Sequence, residues 1–319
     1  MDFSRLYSPL HRVVRLGALN QIAEPSGATM PQRPTILVYA NCQGDELTEM
    51  LNRLAPIRAH FHIAHIFLGA LDEFLTTPDA QTTLASAAIL WEQMSDAATE
   101  ERPRLASHLP STIRHLRFPA FTCSTLYPFG ASDPRQPGPD ALFAYSDIIC
   151  ARLWREMGGA TGEMDQVPDA TILARYAELS IRMLPDLNRV LDRDILQWRA
   201  RDQQCDVKMA DFMAQSLRHV RLFYTAGRPT WMIMGRVLRQ LLALSLDDPA
   251  LWLTTLRALD RLDHGYRGND SLSAPIHPEV ARRLDLLWYN PAETSRWLGH
   301  QWTFDQFVLR CARLLPYLG

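Results

Sequence analysis

The sequence has 319 residues, of which 47% are hydrophobic and 21% charged, with a formal net charge of −2. That balance excludes a disordered chain and a nucleic-acid binder that works through bulk positive charge, and the length suits one large domain or two modest ones. Lys208 is the single lysine beside 32 arginines, a bias that codon usage explains as well as anion binding does, so no one arginine is informative by itself.

Residues Phe3 to Ile22 place Leu6, Leu10, Val13, Leu16 and Leu19 beside Arg5, Arg12 and Arg15. This amphipathic pattern suits packing on its own domain or on a partner subunit, with peripheral membrane contact through residues 3–22 as the second reading. "EPSGATMPQRP" (Glu24 to Pro34) has linker composition, so an arm and linker over 1–33 precede a main domain over 34–319. The N-terminus has no continuous apolar run with a cleavage signature, and no stretch is long and apolar enough to span a bilayer. Cys42, Cys123, Cys150, Cys205 and Cys311 are odd in number and lack metal-type spacing. A cytoplasmic, reducing location is therefore expected, with no disulfide framework and no metal.

Thr35 to Ala40 reads as a buried strand and Asp45 to Leu54 as a helix. Further strands are expected at Phe61 to Leu68, Ala87 to Gln93, Thr112 to Phe121 and Val220 to Thr225. Strands alternating with helices predict an α/β fold: a mainly parallel sheet with helices on both faces. A Pro/Gly loop from Tyr127 to Asp140 leads into a helical insertion over about 146–217. After Pro229 the chain stays helical, and Trp231 to Leu244 reads as a core helix with Arg236, Arg239 and Gln240 on one face.

The first strand delivers Asn41-Cys42-Gln43-Gly44 to its C-terminal end, where open α/β sheets bind ligands. Backbone N–H groups at the start of the next helix favour an anion and favour thiolate over thiol. The position therefore suits a nucleophile, with the N–H groups of Gln43 and Gly44 as an oxyanion hole; the plain alternative is a small buried cysteine. Gly44 lets the turn close without a side chain. Glu92 and Gln93 end the third strand, where they either line the same crevice or face solvent. His60 and His62 share one strand face and His65 points to the other, so a metal there would need distant ligands.

"YANCQG" following a strand resembles the signature of the WcbI-like polysaccharide biosynthesis family, acetyltransferases of bacterial capsule and glycan clusters. Further stretches agree in order: "FPAFTCSTLYP", "CDVKMADFM" (Cys205 to Met213), "RLFYTAGRPT" (Arg221 to Thr230), "PIHPEVARRLDLLWY" (Pro275 to Tyr289) and "WTFDQFVLRC" (Trp302 to Cys311). The resemblance spans roughly Pro34 to Leu315. It implies an SGNH-like α/β layout, binding of coenzyme A or acetyl-CoA, and transfer of an acetyl group to a sugar hydroxyl of a polysaccharide or glycan precursor. Cys42 falls on the signature cysteine.

SGNH-type enzymes carry a histidine base just before a proline at a late helix start. The equivalent turn here is Gly227-Arg228-Pro229-Thr230, and Arg228 cannot accept a proton. His277 in "IHPEV" and His264 in "LDHGYRGND" are then the candidate bases. Tyr127 and Tyr224 are candidates for stacking on sugar or adenine, Asn41 and Gln93 for polar substrate contacts, and Arg228, Arg236 and Arg239 for the phosphates of coenzyme A. Two other functions compete: an SGNH-like esterase or deacetylase in which water replaces the acceptor, and a non-catalytic glycan- or partner-binding protein of a polysaccharide biosynthesis cluster.

Overall fold

The computed structural model describes residues 33–95, 99–131, 146–159, 162–263, 266, 272–297 and 300–313. The Phe3–Ile22 segment and His264 lie outside these residues. The chain divides into two compact units. One comprises Met1–Ala120, Trp198–Ala210 and Trp231–Gly268; the other comprises Phe121–Gln197, Asp211–Thr230 and Asn269–Gly319.

The first unit is built on four parallel strands: β1 (Thr35–Ala40), β2 (His62–Phe67), β3 (Ala87–Met94) and β4 (Arg114–Pro119), in the order β2-β1-β3-β4. All six residues of β1 are buried. A continuous apolar run is what a parallel strand covered on both faces requires. On one face Leu37, Tyr39, Ile66 and Leu90 pack with Leu71, Leu84 and Leu105 from three short helices, Leu71–Leu75, Ala80–Ala85 and Glu101–Ser107. The opposite face carries helix α1 (Cys42–Arg53) and the helix Trp231–Ser245, where Trp91 Nε1 donates to Ser245 Oγ at 2.9 Å. The expected parallel sheet flanked by helices is thus present.

Three details differ from expectation. The chain after Pro229 is not helical throughout, because Ser295–Trp297 pairs antiparallel with His300–Trp302. Helix α1 begins at Cys42, three residues before Asp45, because Asn41 is its N-cap: Asn41 Oδ1 accepts from Gln43 N at 2.9 Å. The Val220–Thr225 stretch does not join the sheet. Phe223–Thr225 pairs antiparallel with Arg228–Pro229 as a separate hairpin in the second unit. The two-residue loop Ala226-Gly227 supplies a pairing partner locally, so the strand needs no place in the sheet.

The second unit is mainly helical. Asp147 caps the helix Ile148–Glu156 by accepting from Ile149 N at 2.7 Å, and its other oxygen accepts from Tyr176 OH at 2.6 Å. Buried Asp194 accepts from both the backbone N and the hydroxyl of Thr125. The helix Phe304–Ala312 starts with a capping box between Thr303 and Gln306. Among the described residues no helix is long and apolar enough to cross a membrane.

Candidate functional site

The strand order places β2 on one side of β1 and β3 on the other, so the chain leaves β1 in one direction and crosses back in the other. The C-terminal end of β1 is therefore a topological switch point, where diverging connections open a crevice. Asn41-Cys42-Gln43-Gly44 occupies that end, and Cys42 is the first residue of α1.

Gln93, from the neighbouring strand β3, holds this turn. Its Oε1 accepts from Asn41 N at 3.1 Å, and its Nε2 donates to Gln43 Oε1 at 2.7 Å. Gln93 is 0% exposed, so it spends both ends of its amide on the turn instead of facing a ligand from solvent. Replacing Gln93 by leucine strands the Asn41 backbone N–H and the Gln43 side-chain Oε1, and a loss of about 2 kcal/mol in urea unfolding is expected. The N–H groups expected to form an oxyanion hole are also engaged. Gln43 N donates to Asn41 Oδ1, and Gly44 N donates to Asn41 O at 2.8 Å. An oxyanion at this turn would have to take the Gln43 N–H from the Asn41 side chain.

Cys42 is half-buried, whereas the other four cysteines are buried. Burial, with the charge of Asp202 adding to it, pushes the Cys205 thiol up to about 12. Burial drives Cys123 higher still, with Asp194 contributing. Those two thiols stay protonated at ordinary pH, and Cys42 is the one cysteine of the five that is not buried.

Glu92 does not share the crevice with Gln93. Adjacent strand residues point to opposite faces, and Glu92 lines a groove on the far side of the sheet with Arg102, His115 and Arg117. Its carboxylate meets Arg102 Nε at 2.7 Å, His115 Nε2 at 2.7 Å and Arg117 Nε at 3.3 Å. Arg102 also donates to the carbonyls of Gln93 and Ser95, tying this charge cluster to the end of β3.

The other candidates fall in different places. Arg236 and Arg239 lie on the helix Trp231–Ser245 in the first unit, and Arg239 is paired with Asp260 and Asp263. A phosphate there would have to displace two carboxylates. Arg228 and Tyr127 belong to the second unit, as does His277. Tyr127 OH donates to Phe223 O at 3.0 Å. Tyr127 and His277 meet on one cavity of about 50 Å³, whose walls include Phe129, Tyr176, Thr225 and Phe304.

His277 does not have the nitrogen a general base needs. Its Nδ1 accepts from Glu279 N at 3.1 Å, capping the helix Pro278–Leu284, so the ring proton sits on Nε2, which donates to Ser180 Oγ at 3.0 Å. Rings of Phe129, Tyr176 and Phe304 surround it. Burial lowers its pKa to about 4, partly countered by Glu279. A histidine held neutral in this way stabilises the fold above the unfolded value of 6.5, and that stability is lost as pH falls through 4. In His277→Gln the pH dependence of urea unfolding between 6.5 and 4 is expected to shrink by the uptake of up to one proton.

His65 is the neighbour of the turn that sequence reasoning passed over. It donates from Nε2 to Ala40 O at 3.0 Å, and its Nδ1 lies 2.8 Å from Asp45 Oδ1. The alternation of β2 was legible in the sequence and places His65 on the α1 face, but the Asp45 partner was not. His60 ends a helix instead of lying in the strand, with Nδ1 on Pro56 O.

Fold and turn together define an α/β protein that presents a half-buried cysteine at the head of a helix, at the switch point of a parallel sheet. The family model for the polysaccharide biosynthesis enzyme WcbI matches residues 35–246. The chain belongs to this family of polysaccharide biosynthesis enzymes. A solved structure of WcbI superposes with a TM-score of 0.62 at 17% identity, covering 90% of this chain and 91% of its own. It is described as the native protein without a disulfide bond between coenzyme A and one of its cysteines. No curated protein matches the chain.

Proposed function

We propose that this member of the family is an acetyl-CoA-dependent O-acetyltransferase acting on a polysaccharide or glycan precursor. The observation that carries the reading is Cys42, the one cysteine of five that is not buried, set first in α1 at the switch point. The solved WcbI supports it, since its description names coenzyme A together with one of its cysteines, with no disulfide bond between them. Cys42 is our candidate for meeting coenzyme A here.

In this reading Cys42 Sγ attacks the thioester carbonyl of acetyl-CoA. A new carbon–sulfur bond forms, the bond to coenzyme A breaks, and coenzyme A leaves as the thiol with a proton. The acceptor hydroxyl oxygen then attacks the acetyl carbon, the bond to Sγ breaks, and the hydroxyl proton passes through a base to restore the Cys42 thiol. The first turn of α1 supplies partial positive charge where the tetrahedral oxyanions form.

Intact mass spectrometry tests this directly. Wild type incubated with acetyl-CoA is expected to gain one acetyl group, and Cys42→Ala none. Oxidised coenzyme A is expected to add one coenzyme A to wild type, reversibly with a reductant. A wild type that shows neither adduct, and no thermal shift with coenzyme A, would remove the reading.

A further inference from the structure

We infer that His65, together with Asp45, is a positioning residue for the Cys42 turn. The inference deepens the proposed function and rests on Cys42 being its reacting thiol. The turn has a strand on each side. From the β3 side, Gln93 grips the N-cap. From the β2 side, His65 grips Ala40 O, the carbonyl just before the cap, and reaches Asp45 in the first turn of α1. Ala40 O only accepts, so Nε2 donates that hydrogen bond, and the carboxylate of Asp45 lies 2.8 Å from the other ring nitrogen.

The imidazole also explains the glycine. A Cβ at position 44 would lie 2.6 Å from His65 Nε2 and 2.7 Å from Ala40 Cβ. Gly44 is therefore the residue that lets the ring pass beneath the first turn and reach the strand end. The His65 side chain is only 12% exposed, so it is held in place by packing as well as by its two partners. Ring, strand end and first turn form one rigid joint, and that joint sets the direction in which Cys42 leaves β1.

Alkylation of Cys42 by iodoacetamide, read on its own peptide by mass spectrometry, tests this without any acetyl transfer. The four remaining cysteines are buried. Loss of acetyltransferase activity in wild type would thus sink the proposed function and leave this readout intact. His65→Asn keeps polarity but is too short to span to Ala40 O. It is expected to slow alkylation at pH 7 about three- to tenfold, as the thiolate loses its set position against the partial positive charge at the head of α1. His65→Gln restores a donor of longer reach and is expected to return the rate to within about twofold of wild type.

Asp45→Ala, at a position whose side chain is 40% exposed, guards against a misfolded His65 variant. Removing a negative charge by itself favours the thiolate and speeds alkylation, so a slower Asp45→Ala reports lost positioning. A rate in His65→Asn within twofold of wild type, a His65→Gln as slow as His65→Asn, or a faster Asp45→Ala would overturn the inference.

Discussion

Cys42→Ala is expected to lower acetyl transfer from acetyl-CoA by a thousandfold or more while changing stability by no more than about 1 kcal/mol. Under the proposed function the rate loss follows from removing the atom that would take the acetyl group, since no neighbouring group in the described turn can replace a thiolate in that step. The small stability change follows from position. Cys42 is half-buried at the first helical residue, and the cap of α1 is made by Asn41, itself held by Gln93, not by Cys42. Steady-state transfer to a glycan acceptor, with urea unfolding alongside, measures both. Activity retained within tenfold would show that the cysteine holds the donor without being acylated.

Glu92→Gln is expected to cost about 3 kcal/mol at neutral pH, although it lies across the sheet from the thiol. Taking a carboxylate out of water is costly, and burial by itself would raise its pKa. The His115 hydrogen bond and the charges of His115, Arg102 and Arg117 outweigh that and hold it below the ordinary carboxyl value of 4.5. The neutral amide leaves three basic side chains facing one another around a buried acceptor. Because the folded pKa is depressed, the carboxylate's contribution is fully present above about pH 4.5 and is lost as pH falls through the lower folded value. The gap between wild type and Glu92→Gln in urea unfolding should therefore be wide at pH 7 and narrow under acid. Arg102 links this cluster to the Gln93 carbonyl, so the variant is also expected to loosen the end of β3 that steadies the Cys42 turn.

What could be read in advance depended on the range of each interaction. The apolar run of β1 gave its ends correctly at Thr35 and Ala40, because a strand buried on both faces leaves no polar position to blur the pattern. Reading Asn41-Cys42-Gln43-Gly44 as a turn puts the start of α1 at Asp45, although Asn41 is a good cap residue one step before Cys42. The strand character of Phe223 to Thr225 was legible, but its partner was not. Local strand preference does not say whether a hairpin or a sheet will satisfy the backbone.

The sequence by itself determined the class of fold, the cysteine at the end of the first strand, and the family to which the chain belongs. Only the tertiary structure decided what holds that cysteine. Gln93 lies 50 residues from Gln43, and His65 lies 25 from Ala40. Strand alternation tells which face a side chain takes, but not which group waits there. The same limit applies to His277, whose sequence context suggested a base. Its Ser180 partner is 97 residues away, and burial among aromatic rings, visible only once the chain is folded, keeps it neutral and hydrogen-bonded at both nitrogens.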